Sequence, residues 1–174
     1  REEFVLTGQP FSGRGERMEE MIEVLRALWS GEMVEHHGHY YDFPPMQMSP
    51  APAAPVPIYV GGESTVALQR AARLADGWIS VQHTARECAE LVARLDEYRG
   101  EAGRAELPFE RVMACVDAFD VDGYAQLAEV GVTALQTVPW LFYGGDPGDL
   151  DVKRRGIERF ATEVLSQFPV GGTL

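Results

Sequence analysis

The sequence is poor in positive charge and in cysteine. Its 174 residues carry 15 Lys and Arg against 27 Asp and Glu, which gives a net charge of −12 at pH 7. A nucleic-acid-binding protein of this charge would be repelled by every phosphate, and no Lys/Arg-rich run offsets that repulsion. Nucleic acid is therefore excluded as a partner, and an anionic membrane surface is disfavoured for the same reason. The two cysteines, Cys88 and Cys115, form no Cys-x-x-Cys pair, which favours reduced thiols and a cytoplasmic protein.

Other signals are also missing. No run of about 18 apolar residues predicts a membrane-spanning helix, and the first residues lack the basic-then-apolar pattern of a signal peptide. The sequence contains no Gly-x-Ser-x-Gly, P-loop or Gly-x-Gly-x-x-Gly motif, so a hydrolase triad, a nucleotide kinase and a Rossmann dehydrogenase have no support. The chain starts at Arg1 instead of Met, so we expect a fragment of a longer protein, with Met removal followed by trimming as the alternative.

What the sequence does contain is an alternation of strand and helix patterns. The apolar share of 45% is enough for a hydrophobic core. We expect helices over 14–29, 64–75, 84–98, 122–130 and around 157–168, strands over 58–60, 78–81, 111–116 and 132–138, a hairpin over 34–43 with its turn at Gly38, and a Pro-rich loop over 44–57. Such alternation predicts parallel strands with helical crossovers, in a doubly wound sheet or in a barrel. Four strand–helix units make half of an eight-stranded barrel, which needs about 250 residues.

Four phrases, spread over nearly the whole chain, carry a family resemblance. They lie at 3–29 (with Gly-Gln-Pro-Phe and Arg-Gly-Glu-Arg), at 37–43 (His-Gly-His-Tyr-Tyr-Asp-Phe), at 57–78 (Pro-Ile-Tyr-Val-Gly-Gly-Glu-Ser to Ala-Asp-Gly-Trp) and at 130–133. In order and spacing they resemble the luciferase-like monooxygenase superfamily, especially its branch dependent on coenzyme F420. The resemblance implies a (β/α)8 TIM barrel of roughly 280 to 350 residues. This α/β chain would be one domain, 1–174, holding only the C-terminal half of that barrel, about strands five to eight.

The best site candidate is the segment Gly61, Gly62, Glu63, Ser64 and Thr65. Glycines at the carboxyl end of a barrel strand let the backbone approach a ligand, and the helix that follows offers free amides and its positive dipole end to a phosphate. The resemblance implies that the phosphate of a flavin or deazaflavin binds here; an ordinary tight turn with a helix cap is the alternative. The charge of Glu63 must then point away from the phosphate, or the residue must bind through its backbone or to the ribityl chain.

Further candidates surround this loop. Trp78 is a core aromatic after a helix end, or, by the resemblance, part of the cofactor pocket. Arg14 and Arg17 form salt bridges with the glutamates of their helix, or reach the phosphate or acidic tail of the cofactor. His83 follows a strand, where a catalytic barrel residue would lie, although a solvated loop histidine is the more ordinary interpretation.

Two other segments carry weaker hypotheses. The cluster 35–39 contains three histidines, but it lacks the spacing of a metal site, and the resemblance implies a hairpin without metal. The loop from Trp140 to Asp149, with Phe142 and Tyr143, would form one wall of a substrate pocket. No metal is expected.

The function implied by the resemblance is that of an oxidoreductase or monooxygenase. A deazaflavin or flavin would exchange a hydride with a small organic substrate, or support oxygen insertion into it, while the protein orients the ring and excludes water. Coenzyme F420 is the first choice of cofactor and FMN the second, and the fragment alone is expected to be inactive. The alternatives are a non-catalytic flavin-binding or oligomerising half barrel and a scaffold without ligand. A half barrel exposes an apolar sheet face and unpaired strand edges, so we expect a homo-oligomer.

Overall fold

The computed structural model describes residues 1–168. It divides into two compact units, one covering Arg1–Ile58 and one beginning at Tyr59, and each is described here by itself. The helices are α1 (Glu2–Leu6), α2 (Arg14–Trp29), α3 (Thr65–Leu74), α4 (Ala85–Glu101), α5 (Val121–Glu129) and α6 (Leu150–Glu163), and the strands are β1 (Met33–His37), β2 (Asp42–Gln47), β3 (Tyr59–Gly61), β4 (Gly77–His83), β5 (Glu110–Cys115) and β6 (Ala134–Leu135). The single domain over 1–174 stays a prediction.

The first unit combines helix α2 with an antiparallel hairpin of β1 and β2. The carboxylate of Glu20, on α2, holds the turn of this hairpin, because it accepts hydrogen bonds from the amides of His39, Tyr40 and Tyr41 at 2.8–3.2 Å. Turn amides otherwise lack a partner in the ladder, and a carboxylate is a strong acceptor for them. One helix side chain therefore fixes both the position and the conformation of the predicted hairpin.

The expectation that the Pro-rich loop begins at residue 44 was wrong at its start. Strand β2 runs through Pro44 and Pro45 to Gln47, and Met33 pairs with Gln47. Proline removes one amide donor, which excludes it from the middle of a sheet but not from an edge strand. Both strands of a two-stranded ribbon are edge strands, so the prolines fit there. The loop proper covers the remainder of the stretch, from 48 to 57.

The second unit is built on a four-stranded parallel sheet in the order β3-β4-β5-β6. Each connection from β3 to β6 contains one helix, as the alternation of patterns predicted. Helices α3 and α4 pack against each other and against the sheet. The fully buried apolar side chains of this unit include Leu68, Trp78, Leu95, Met113 and Leu127.

The two faces of this sheet differ in exposure. Trp78 and Ser80, with relative exposures of 0% and 5%, lie on the face that α3 and α4 cover, whereas Tyr59 and Val81, with 43% and 46%, lie on the other. Near the end of β4 the register shifts, and Gln82 adopts a positive φ of 66°. This bulge turns the following His83 to the same side as Ser80.

The last strand is shorter than the pattern 132–138 predicted. Only Ala134–Leu135 is strand, although backbone hydrogen bonds from Thr133 to Arg111 and from Gln136 to Met113 flank it. Pro139 has no amide to continue the ladder, and it begins a short 3₁₀ turn, Pro139–Leu141. The final helix α6 likewise ends at Glu163, and a 3₁₀ turn, Leu165–Gln167, takes its place. Among residues 1–168, no helix is both long and apolar enough to cross a membrane.

Candidate functional site

The glycine pair ends strand β3 in a sharply turned backbone. Gly61 is the last residue of the strand, and Gly62 has a φ of +108°, which L side chains rarely adopt. The indole Nε1 of Trp78 donates a hydrogen bond of 2.9 Å to the carbonyl oxygen of Gly62. Because Trp78 is fully buried, it supports the loop from beneath. Its predicted contact with a cofactor stays a prediction.

Helix α3 begins directly after this loop and leaves two amides open. Ser64 is the N-cap, and its side chain accepts a hydrogen bond from the amide of Ala67. The amides of Thr65 and Val66 have no acceptor within residues 1–168, and the whole segment from Gly61 to Val66 is exposed. Free amides at the positive end of a helix of ten residues form a binding surface for an anion.

One cation contacts the same surface. Arg94, on α4, donates a hydrogen bond of 3.4 Å from Nη2 to the hydroxyl oxygen of Thr65. In the part of the chain that the structure describes, Arg94 forms no ion pair. Its guanidinium therefore adds a positive charge beside the free amides, which favours an anionic phosphate over a neutral ligand.

The carboxylate of Glu63 is engaged by the neighbouring strand. Ser80 Oγ donates to Glu63 Oε1 at 2.9 Å, and His83 Nε2 lies 2.9 Å from the same oxygen. Ser80 Oγ and His83 Nε2 are 2.8 Å apart, so the three side chains close a triangle. The negative charge is held by β4 instead of by the amides of α3. We call Glu63, Ser80 and His83 the β4 clamp.

The sequence indicated Glu63 and His83 as candidates, but not that their side chains contact each other. In the sequence Ser80 is an ordinary strand residue. Its role depends on the bulge at Gln82, which brings His83 to the side of the sheet on which Ser80 lies. A positive φ at glutamine has no sequence signature. The parallel pairing of β3 with β4 places the two loops side by side.

The two thiols are neither exposed nor activated. Burial is the main cause that raises the pKa of Cys88 to about 12, and the neighbouring Cys115 adds to it. Burial also raises the pKa of Cys115, whose Sγ donates to Asp117 Oδ1 at 3.1 Å. A thiol with a raised pKa is a poor nucleophile. Both cysteines are free in the structure.

The arginines of the first unit do not form the predicted salt bridges with the glutamates of their helix. The guanidinium of Arg14 stacks over Phe11, 3.9 Å from the ring centroid, and Arg17 donates to Gln9 Oε1 at 2.6 Å. The glutamates serve the hairpin instead, since Glu16 accepts from the hydroxyl of Tyr40 in addition to the turn contacts of Glu20. A contact of Arg14 or Arg17 with a cofactor remains a prediction.

The three histidines of the hairpin are each engaged separately. His36 Nε2 lies 3.1 Å from Glu20 Oε1, His37 Nδ1 lies 2.6 Å from Asp42 Oδ1, and His39 stacks edge-on against Tyr40. Within residues 1–168 no group of three or more His, Cys, Asp or Glu side chains is placed to hold a metal ion.

The loop after β6 places its two neighbouring aromatic residues, Phe142 and Tyr143, in different surroundings. Phe142 packs against Phe119 and Phe160, with ring centroids 4.7 Å and 6.1 Å away. Tyr143 instead stacks with Arg159, at 4.4 Å, beside a groove of about 420 Å³. Phe142 is thus half-buried in an aromatic cluster of this unit, and Tyr143 is the aromatic residue left for a wall of the predicted substrate pocket.

Comparison with known proteins identifies the family. The profile of the luciferase-like monooxygenase family matches residues 1–121. The chain belongs to this family. An uncharacterized protein of Mycobacterium tuberculosis is 42% identical over 169 residues, which cover 95% of the chain and 58% of that relative. The F420-dependent hydroxymycolic acid dehydrogenase of the same organism is 26% identical over 161 residues, covering 91% of the chain and 42% of that enzyme.

The fold of the family is also found among solved structures. The coenzyme F420-dependent tetrahydromethanopterin reductase from Methanopyrus kandleri matches with a TM-score of 0.74 at 16% identity, over 95% of this chain and 71% of that one. The predicted fold class is confirmed, as a parallel α/β structure that covers part of a luciferase-like TIM barrel. The chain spans 58% of the length of the M. tuberculosis relative.

Proposed function

We propose that this chain contributes the phosphate-binding part of an F420-dependent oxidoreductase that acts on a small organic substrate. The observation that carries the proposal is the pair of free amides, at Thr65 and Val66, that opens directly behind the glycine turn. These amides, the hydroxyl of Thr65 and the guanidinium of Arg94 would hold the phosphate. The bound deazaflavin would supply the hydride chemistry, while the chain fixes the cofactor's position at the carboxyl end of the sheet.

The choice of F420 over FMN is supported by the relatives. Both the dehydrogenase of M. tuberculosis and the reductase of M. kandleri are F420-dependent by name. The chemistry of the site fits either cofactor, because each carries a phosphate on its ribityl side chain and the donors in this loop recognise that group. Hydride transfer and oxygen insertion both stay within the proposal.

A fluorescence titration of the 174-residue chain with F420, FMN and riboflavin tests the proposal. Riboflavin is the matched control, since it has the ring and the ribityl chain of FMN without the phosphate. We expect saturable binding of F420 and FMN, tighter for F420, and binding of riboflavin weaker by at least roughly tenfold. Equal affinity for FMN and riboflavin would contradict the assignment of the loop to the phosphate.

A non-catalytic, oligomerising half barrel remains the second candidate, because the uncovered sheet face of the second unit carries Tyr59 and Val81 at 43% and 46% exposure. Apolar side chains in such a position favour association. Light scattering tests this candidate, with a homo-oligomer as the expected result. A monomer that binds FMN would contradict the oligomerising half barrel and support the oxidoreductase proposal. A cytoplasmic location likewise stays a proposal.

A further inference from the structure

We infer that Ser80 and His83 are positioning residues that keep the charge of Glu63 away from the cofactor phosphate. This inference rests on the proposed function of the loop. It concerns a separate question, namely how a phosphate site tolerates a carboxylate between Gly62 and Ser64. At distances of a few ångströms, two negative charges repel strongly enough to change an affinity by an order of magnitude.

The contacts of the β4 clamp indicate which ring nitrogen of His83 carries a hydrogen. Ser80 Oγ donates to Glu63 Oε1, and His83 Nε2 lies 2.9 Å from that oxygen. Without a hydrogen on Nε2, its lone pair would face a carboxylate oxygen across this distance, which is repulsive. Nε2 therefore carries a hydrogen and donates it to Glu63. The carboxylate receives two donors, both from β4, and its charge is partly compensated there.

The histidine side of the clamp is the fixed one. The side chain of His83 is 13% exposed, whereas that of Glu63 is 49% exposed. The carbonyl of His83 accepts a hydrogen bond of 2.8 Å from the amide of Val116 on the β5 side, and the bulge at Gln82 sets its direction. If the partners on β4 were lost, the exposed Glu63 would be free to rotate toward the amides of α3.

The geometry does not fit the alternative chemistries of these residue types. In a serine–histidine–acid triad the acid binds one ring nitrogen and the serine the other, but here both contact Nε2. A metal site would need further ligands, and residues 1–168 offer no cluster of three. What remains is a clamp on the carboxylate.

Affinity measurements on four variants test the inference, with FMN as the probe and riboflavin as its reference. We expect His83→Ala to weaken FMN binding by roughly tenfold, and Ser80→Ala to weaken it by a smaller factor. Glu63→Gln should bind FMN at least as tightly as the wild type. The double variant His83→Ala/Glu63→Gln should regain the affinity of Glu63→Gln, because the charge that the clamp controls is gone.

The rescue separates a positioning role from a structural one. A double variant as weak as His83→Ala would overturn the inference, and so would a His83→Ala variant that binds FMN as tightly as the wild type. His37→Ala, which breaks the exposed histidine–carboxylate pair of the hairpin, is the matched control and should leave FMN affinity unchanged. If the wild type and Glu63→Gln both bind FMN and riboflavin equally, the proposed function itself is wrong, and the clamp has no phosphate to protect.

Discussion

The two adjacent glycines of the loop differ in whether their position tolerates a side chain, and replacing each by alanine tests this difference. At Gly62 the backbone φ is +108°, and an added Cβ would lie 2.9 Å from the Cβ of the buried Ala67. At Gly61 the φ is ordinary for L residues, and the nearest atom to an added Cβ, the carbonyl oxygen of Ile79, would be 3.5 Å away. That distance is normal van der Waals contact. Gly62 is therefore required by the fold, while Gly61 is not.

Stability measurements should reflect this difference. A non-glycine residue in a sparsely populated backbone region costs about 1–3 kcal/mol, so Gly62→Ala should lower the free energy of unfolding by that amount, with the close contact to Ala67 placing it at the upper end. Gly61→Ala should be neutral or up to about 1 kcal/mol more stable, since alanine loses less backbone entropy on folding. Urea denaturation of both variants and the wild type measures the difference.

Ligand binding then shows what Gly61 is for. If residue 61 lacks a side chain so that a phosphate can approach the end of β3, Gly61→Ala should remain folded and bind FMN roughly tenfold more weakly. Its affinity for riboflavin should be unchanged. Two results would refute the reasoning: a Gly62→Ala variant as stable as the wild type, or a stable Gly61→Ala variant with unaltered FMN affinity.

Three further predictions concern other parts of the chain. Trp78→Phe should lower the free energy of unfolding, measured in urea, by about 1–3 kcal/mol, because it removes the donor to the Gly62 carbonyl; an unchanged value would contradict this. Gly100→Ala should raise the melting temperature and the stability, by about 0.5–1 kcal/mol, since Gly100 lies within α4 and its new Cβ would meet no atom of residues 1–168 within 4 Å. Burial raises the pKa of Glu20, but hydrogen bonds from the amides of Tyr41 and Tyr40 and the contact with His36 lower it overall. The contribution of Glu20 to the stability of the hairpin is therefore present above pH 4.5 and lost as the pH falls through the lowered pKa. An acid titration of the hairpin followed by NMR should show this loss, and Glu20→Gln should remove the pH dependence of the hairpin's stability.

The regular part of the fold was readable from the sequence because its patterns are local. The apolar spacing within α4, the Thr84–Glu87 capping box and the Gly–Gly end of β3 each act over a few residues. The capping box is formed as expected, with both of its hydrogen bonds. Such signals can be recognised without knowing which elements pack together, which is why the order of strands and helices from α2 onward was predicted correctly, whereas α1 was not predicted.

What the sequence did not reveal depends on pairing between distant segments. The strand character of Pro44 and Pro45 follows from the two-stranded ribbon, whose edges need no donor. The partners of Arg14 and Arg17 depend on the fold of the preceding residues: helical spacing pointed to carboxylates of α2, whereas the partners are Phe11 and Gln9. The β4 clamp depends on the pairing of β3 with β4 and on a bulge in β4 that no residue type predicts.

The most direct test of the phosphate loop is an amide NMR titration of the chain with FMN and with riboflavin. The account predicts that FMN shifts the signals of Gly62, Thr65 and Val66, and that riboflavin at the same concentration leaves them in place. Signals that shift equally with both ligands, or FMN-dependent shifts confined to other residues, would contradict the claim that the amino end of α3 binds the cofactor phosphate.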